Sequence, residues 1–161
     1  MKSKILLLML GMFLFLSACG TQPYLKENAA FIMFKTPTFK YADMGFVYEN
    51  AQEVKAEIYG SGQALLSWKI SGSTVCMSLL ACMSKKSFNA QVLNASYPDD
   101  VLENIFRMKP IFSGENFQKN RNGFTQKLRK NGKYNIEYRV LNNDVIFHDR
   151  INNIHIEVKK Q

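Results

Sequence analysis

Three cysteines, two histidines and a pair of adjacent aspartates are the residues of this chain whose types are typical of catalytic or metal sites. His148 and His155 fall on neighbouring predicted strands, and no motif supplies the third ligand that a metal site needs. Asp99 and Asp100 precede a predicted helix, where the helix dipole explains adjacent carboxylates. The motifs G-x-S-x-G, H-E-x-x-H, G-x-G-x-x-G and the P-loop are absent. We therefore expect no enzymatic activity, no metal site and no cofactor.

Cys76 and Cys82 can form a disulfide only if the chain reverses direction between them. A disulfide needs Cα atoms within about 7 Å, whereas six residues of helix rise about 9 Å. An oxidising compartment favours the bridge. The alternative is a pair of small buried side chains on one strand. The residue pattern leaves both interpretations open.

The first nineteen residues have the three parts of an export signal. Met1–Lys4 carries two lysines, Ile5–Leu16 is an apolar run interrupted only by Gly11, and Ser17-Ala18-Cys19 follows. As a helix the apolar run would span about 18 Å, which is less than the roughly 30 Å of a bilayer core. A permanent transmembrane anchor is therefore not expected.

Leu16-Ser17-Ala18-Cys19 resembles the bacterial lipobox, in which a peptidase cuts before a cysteine whose thiol has been diacylated. The resemblance implies that residues 1–18 are a lipoprotein signal peptide, that Cys19 carries the lipid anchor, and that residues 19–30 form a tether. Two or more acyl chains give stable attachment to a membrane. Gly20 stands where enterobacterial lipoproteins of the inner membrane usually carry Asp, so the resemblance implies the periplasmic face of the outer membrane. The alternative is an ordinary secretory signal with an incidental cysteine.

Length and composition describe one folded domain, which we assign to residues 31–161. The chain has 161 residues, of which 47% are hydrophobic, enough for one core and too few for two ordinary domains. A monomer is expected. The net charge of +8 suits anionic membranes, acidic proteins and nucleic acid alike. A periplasmic lipoprotein rarely meets nucleic acid, so no nucleic-acid partner is expected.

Most of the domain is predicted to be β-structure. Apolar residues with a period of two predict a strand that begins at Phe39, with Phe46 on its inner side, and further strands over Val54–Gly60 and Ala64–Ile70. Thr74–Leu80 predicts a strand that is apolar on both faces, and Phe88–Leu93 a further short one.

One helix and a C-terminal meander complete the predicted fold. Pro98–Met108 predicts the helix, and Pro110 ends it. From Phe124 onward the pattern predicts successive strands, two of which are joined by a hairpin turn at Asn131-Gly132. The expected fold is mainly β, of the α+β class. It is a single curved antiparallel sheet of about seven to nine strands, or an incomplete β-barrel, with a helix covering the concave side.

Two groups of residues are candidates for binding. Apolar side chains that face inward are expected to line a cavity for acyl chains; they are Phe46, Ile58, Leu66, Trp68, Met77, Tyr138 and Phe147. Basic side chains surround the Asn131-Gly132 turn, and they form a candidate docking patch for anionic headgroups or an acidic partner; they are Lys127, Arg129, Lys130 and Lys133. The alternative for this second group is a solvated rim.

The lipobox, the tether, the antiparallel strands, the central helix and the closing meander together resemble the LolB/LolA lipoprotein-localisation family. The segments that carry the resemblance are Glu57–Leu66, similar to the family's strand, tight loop and strand, and Val145–Val158, similar to its closing strands. The resemblance implies an incomplete, curved β-barrel in which helices close a hydrophobic cavity that holds acyl chains. Where the turn in LolB presents an exposed leucine for membrane insertion, this chain has Ser61, so Tyr59 or Leu65 would supply the apolar side chain.

Two functions are therefore expected from the sequence. The first is a membrane-anchored periplasmic lipoprotein that binds acyl chains and takes part in lipoprotein or lipid trafficking, with a periplasmic carrier protein as a partner. The alternative is a non-catalytic structural or adaptor lipoprotein that docks onto an envelope protein complex through an edge strand or the basic hairpin.

Overall fold

The computed structural model describes residues 23–161, in which the chain forms one antiparallel sheet of eleven strands that does not close into a barrel. Two helices, α1 (Lys85–Val92) and α2 (Val101–Phe106), and a short 3-10 turn at Phe112–Gly114 lie between the sixth and seventh strands. The strands are β1 (Lys26–Lys35), β2 (Lys40–Glu49), β3 (Glu53–Gly60), β4 (Gln63–Ser71), β5 (Thr74–Met77), β6 (Leu80–Ser84), β7 (Phe117–Asn120), β8 (Gly123–Lys130), β9 (Tyr134–Leu141), β10 (Asp144–Asp149) and β11 (Ile154–Lys160). The predicted signal peptide and Cys19 lie outside the described residues.

The order of strands in the sheet is β6-β5-β4-β3-β2-β1-β11-β10-β9-β8-β7. Two meanders therefore meet where β1 pairs with β11, for example at Ile32 and Val158. Strands β6 and β7 are consecutive in sequence but lie at opposite edges, separated by ten strand spacings of about 4.8 Å each. Residues 85–116, here called the connecting segment, must cross the sheet between them.

One face of the sheet, the core face, is apolar along nearly every strand. Ile32, Ile58, Ile136 and Ile156 on this face are at most 1% exposed. The connecting segment buries its apolar residues in the same cluster; they are Phe88, Val92, Tyr97, Val101, Leu102, Ile105, Phe106 and Ile111. The opposite face is called the outer face.

Local residue choices explain the tight connections. Ser61 and Gly62 have φ angles of 51° and 78°, which the two-residue turn between β3 and β4 requires. Gly45 on β2 lies so close to β3 that a Cβ atom would be 1.8 Å from the carbonyl oxygen of Glu57. Only glycine fits at that position.

The sheet has more strands than the seven to nine predicted. Strand β1 begins at Lys26, inside the segment 19–30 that was predicted to be a tether. The predicted strand Thr74–Leu80 is too long, because β5 covers only Thr74–Met77 before the chain turns at Ser78-Leu79 and returns as β6. The sequence does not indicate this turn, because a run that is apolar on both faces lacks the alternation that would show where the strand ends.

The predicted helical content also differs from the structure. Phe88–Leu93 was predicted as a strand, but Lys85–Val92 is helix α1, with the Ser84 hydroxyl accepting a hydrogen bond from the Ser87 amide at 3.1 Å. The helix predicted over Pro98–Met108 is present, but it is shorter than predicted at both ends, since α2 spans Val101–Phe106. Ring contacts attach the connecting segment to the sheet, with Phe106 5.7 Å from Trp68 and Tyr97 5.8 Å from Phe147.

Candidate functional site

Six of the seven side chains predicted to face inward lie together on the core face. Ile58, Leu66, Trp68, Tyr138 and Phe147 are 0% exposed, and Met77 is 2% exposed. These six residues belong to one buried cluster that the connecting segment also enters.

The inward assignment of Phe46 is wrong. Its neighbour Val47 occupies the core face, and Phe46 lies half-buried on the outer face, with its ring 6.0 Å from Tyr48 and 5.8 Å from Tyr59. The outer face of β2 carries Met44, Phe46 and Tyr48, whereas the set in phase with Val47 includes Asp43 and Glu49. The more apolar of the two alternating sets is therefore the outer one, and alternation selected the wrong face.

Trp68 contacts both the sheet and the connecting segment. Its ring is 4.6 Å from Phe34 on β1 and 5.7 Å from Phe106 on α2. The indole Nε1 is buried and has no hydrogen-bond partner among residues 23–161. A buried donor without a partner lowers the stability of the fold by about 1 to 3 kcal/mol. Nε1 can therefore still donate one hydrogen bond in surroundings that are otherwise apolar.

A buried polar contact, the Tyr97–Asp149 clasp, holds the connecting segment to β10. The Tyr97 hydroxyl donates a hydrogen bond to the Asp149 carboxylate, which also accepts the amides of Asn135 and Ile151, each at 3.0 Å. Asp149 is 0% exposed. Burial favours a higher pKa, but these hydrogen bonds outweigh it and hold the pKa of Asp149 below its ordinary value.

Two further side chains of the sheet bind the backbone of the connecting segment. The Gln126 amide pairs with Ile111 in both directions, each bond at 2.9 Å, and also donates to the carbonyl of Glu115 at 2.7 Å. The Tyr138 hydroxyl donates to the carbonyl of Lys109 at 2.9 Å. Gln126 is 1% exposed, so its contacts are shielded from water.

Charged groups join the two helices and connect α2 to the sheet. Lys85 Nζ lies 2.6 Å from Glu103 Oε2, and Arg107 Nε lies 2.8 Å from Glu103 Oε1. Burial favours a higher pKa for Glu103, but the two cations outweigh it and lower the pKa. Arg107 Nη1 donates to the carbonyl of Asn50 at 2.8 Å, which attaches α2 to the β2–β3 turn.

The predicted membrane-insertion loop lies at the end of the sheet opposite to the start of β1. Ser61 is exposed at the turn, and Leu65 is 47% exposed. Tyr59 is half-buried, and its hydroxyl donates to Glu57 Oε2 at 3.2 Å. Leu79, at the adjacent β5–β6 turn, is 50% exposed. Sequence reasoning missed Leu79 because it placed this residue inside a strand.

The four residues of the basic patch, Lys127, Arg129, Lys130 and Lys133, are all exposed. They lie on β8 and on the β8–β9 turn, next to the edge strand β7. All four residues of β7 are exposed, including Phe117.

The two histidines stack on the outer face of the sheet. His148 and His155 are cross-strand partners, with ring centroids 5.2 Å apart. Burial, together with the neighbouring His148, lowers the pKa of His155. Across the part of the chain that the structure describes, no group of three His, Cys, Asp or Glu residues is arranged to hold a metal ion.

The structure joins Cys76 and Cys82 in a disulfide across the β5–β6 hairpin, with Cα atoms 4.0 Å apart. Replacing both cysteines with serine is expected to lower the free energy of unfolding by about 2 kcal/mol, because the bridge restricts a short loop of the unfolded chain. Urea denaturation of residues 20–161 measures this loss. A reductant should destabilise the wild type equally and leave the double serine variant unchanged; an unaffected wild type would contradict the bridge.

The chain matches none of the protein families compared with it, and no curated protein matches it either. Among residues 23–161, no helix has the length and apolar character needed to cross a membrane.

Proposed function

We propose that this protein is a lipid-anchored periplasmic lipoprotein that binds acyl chains between the core face and the connecting segment, in lipoprotein or lipid trafficking at the outer membrane. The observation that carries the proposal is an unclosed sheet whose continuous apolar face packs against one connecting segment. We infer that the core face is the concave side of a curved sheet and that α1 and α2 cover it. The resemblance to the LolB/LolA family implies the same arrangement.

Acyl chains enter this interior only if the connecting segment separates from the sheet. The six inward side chains are at most 2% exposed, so the closed state leaves them inaccessible to solvent. Opening must break the Tyr97–Asp149 clasp and the contacts of Gln126. Trp68 Nε1 supports a ligand in this interior, because the carbonyl of an acyl ester can accept its unused hydrogen bond.

Membrane delivery in this proposal uses two exposed side chains at the same end of the sheet, Leu65 on β4 beside the β3–β4 turn and Leu79 in the β5–β6 turn. The tether leaves from the opposite end of the sheet, because Lys26 at the start of β1 pairs with Glu49 at the end of β2. Strands of eight to ten residues separate the two ends by roughly 30 Å. The chain between Cys19 and Lys26 spans at most about 25 Å, so the domain must tilt towards the membrane for both the anchor and the turns to contact it.

The test is a titration of residues 20–161 with a triacylated lipopeptide that competes with an environment-sensitive fluorescent lipid. We expect saturable displacement near one equivalent. Absence of binding by a folded sample overturns acyl-chain binding. Mass spectrometry of the full chain tests the anchor separately, since acylation of Cys19 adds the mass of its acyl chains and the Cys19→Ser variant is the control.

A second candidate function, an adaptor that docks onto an envelope complex, is favoured by the exposed edge strand β7 beside the basic patch. An unpaired edge can accept a strand from a partner. Charge reversal at Lys127, Arg129 and Lys130 should abolish partner binding if the protein is an adaptor. The same variant should retain lipopeptide binding if the acyl-chain proposal is correct.

A further inference from the structure

The core face changes from apolar to polar at the end of the sheet where β1 begins. On β1, buried Ala30 is followed, in the direction of the tether, by Asn28 and Lys26 on the same face. On β2 and β11 the change is from Val47 to Glu49 and from Val158 to Lys160. Three neighbouring strands therefore turn polar at one place, at the edge of the apolar interior.

These residues and the end of α2 line a pocket of about 330 Å³. This volume falls within the range of roughly 300 to 1,000 Å³ that is usual for small-ligand pockets. The pocket is mostly polar, and besides Met108 its lining consists of three cationic side chains, three amide side chains and one acidic side chain; they are Lys26, Arg107, Lys160, Asn28, Asn143, Gln161 and Glu49.

The charges of this pocket are only partly compensated. Lys160 Nζ lies 3.3 Å from Glu49 Oε1, and Arg107 Nη1 lies 3.8 Å from Glu49 Oε2. Arg107 also pairs with Glu103, but Lys85 shares that carboxylate, so Lys85, Arg107 and Lys160 have two carboxylates between them. Lys26 forms no ion pair with any residue that the structure describes. An excess of positive charge therefore remains at the pocket.

Arg107 has an unused hydrogen-bond donor. Its side chain is 9% exposed, and Nε and Nη1 are already bound to Glu103 and to the carbonyl of Asn50. Nη2 is buried and has no partner among the described residues. A buried guanidinium donor left without an acceptor is costly. A bound anion would remove that cost once the guanidinium of Arg107 turned Nη2 towards the pocket.

We propose that this pocket, called the phosphate pocket, binds a phosphate ester through Arg107, Lys26 and Lys160. Phosphate oxygens fit the planar donors of arginine, and lysine adds charge without fixed geometry. The amides of Asn28 and Asn143 offer further donors to the ester oxygens. Glu49 orients Lys160 and Arg107 and keeps them beside each other.

The position of the phosphate pocket favours a phospholipid headgroup as the source of the phosphate. Lys26 is seven residues after Cys19, a distance that the chain spans in at most about 25 Å. A phosphate held at the edge of the apolar interior would also leave the acyl chains of the same lipid directed under the connecting segment. This choice of source rests on the proposed function, whereas phosphate binding itself does not.

The test is a titration of the full chain in non-ionic detergent with inorganic phosphate at constant ionic strength, followed by NMR of the Arg107 Nε–H group and the side-chain amides of Asn28 and Asn143. We expect these signals to shift in a saturable manner. Lys26→Gln should weaken binding about fivefold, which corresponds to about 1 kcal/mol for one lysine near a phosphate. The matched control is Lys130→Gln, an exposed lysine at the opposite end of the sheet, which should leave the affinity unchanged.

A second titration with dihexanoyl phosphatidylglycerol tests the source of the phosphate. Tighter binding than inorganic phosphate, with competition between the two, supports a phospholipid headgroup. Binding of inorganic phosphate alone overturns the lipid source. No saturable shift with either probe, or equal losses for Lys26→Gln and Lys130→Gln, overturns the phosphate pocket. Failure of acyl-chain binding in the lipopeptide assay, with phosphate binding intact, would count against the proposed function alone.

Discussion

Replacement of Asp149 with alanine is expected to lower the free energy of unfolding by about 3 kcal/mol, because it leaves the buried Tyr97 hydroxyl without an acceptor and removes the acceptor of the Asn135 and Ile151 amides. Urea denaturation measures the loss. Hydrogen exchange should also report faster opening around Tyr97, since without the carboxylate only the ring contact with Phe147 holds this residue to β10.

Two further variants show whether the loss of stability comes from breaking the clasp or from removing any carboxylate. Asp144→Ala removes a half-buried carboxylate at the other end of β10 and should cost less than about 0.5 kcal/mol. Tyr97→Phe removes only the hydroxyl and leaves Asp149 with its backbone donors. Its loss in free energy of unfolding should therefore lie between the losses for Asp144→Ala and Asp149→Ala. Equal losses for Asp149→Ala and Asp144→Ala would contradict a special role for the clasp.

The pH dependence of this loss follows from the depressed pKa of Asp149. A carboxylate with a lower pKa in the folded state stabilises the protein above its unfolded-state pKa, near 3.9 for aspartate. That stabilisation disappears as the pH falls through the folded-state pKa. The difference in stability between the wild type and Asp149→Ala should therefore be constant near neutral pH and shrink below about pH 4. Glu103 has a lowered pKa too, but both proteins contain it, so its contribution cancels.

The parts of the fold that alternation predicted well are the strands with one polar face. On β9, buried Tyr134, Ile136, Tyr138 and Val140 alternate with more exposed residues, so the period of two was unambiguous. The Asn131-Gly132 turn joined β8 and β9 as predicted. The existence of one mainly antiparallel sheet follows from such local signals.

The wrong predictions of secondary structure fall on segments whose apolar residues fit both a helix and a strand, or fit neither. Phe88, Ala90 and Val92 alternate as in a strand, but Phe88 and Val92 are also one helical turn apart and both are buried on α1. Ser84, three residues before Ser87, is the N-cap residue that distinguishes a helix from a strand here. Strand β7 has four exposed residues and no alternation, so no pattern predicted it.

The polar residues of the interior could have been found by a different signal. Gln126 and Asp149 occupy the positions in β8 and β10 where the alternation requires an apolar residue. A polar side chain at such a position must find buried partners. The pattern marks these residues as unusual, but it does not reveal that the partners lie in the connecting segment, because Tyr97 is fifty-two residues from Asp149 in sequence.

Replacement of Gln126 with alanine is expected to cost about 3 to 4 kcal/mol and to release the C-terminal part of the connecting segment. The substitution removes every side-chain partner of the amide and carbonyl of Ile111 and of the carbonyl of Glu115, and it leaves a small cavity. Hydrogen exchange at the Ile111 amide and chymotryptic cleavage at Phe112 should both accelerate. The matched control, Gln118→Ala on the exposed strand β7, should change neither.

The Gln126→Ala variant also connects stability with the proposed function. Acyl chains enter only when the connecting segment opens, so a variant that opens more often should bind the fluorescent lipid faster, provided that the protein stays folded. The association rate should rise for Gln126→Ala and stay unchanged for Gln118→Ala. Faster exchange at Ile111 without faster lipid binding would mean that lipid does not enter beneath this part of the segment. Unchanged exchange would mean that Gln126 does not hold the segment at all.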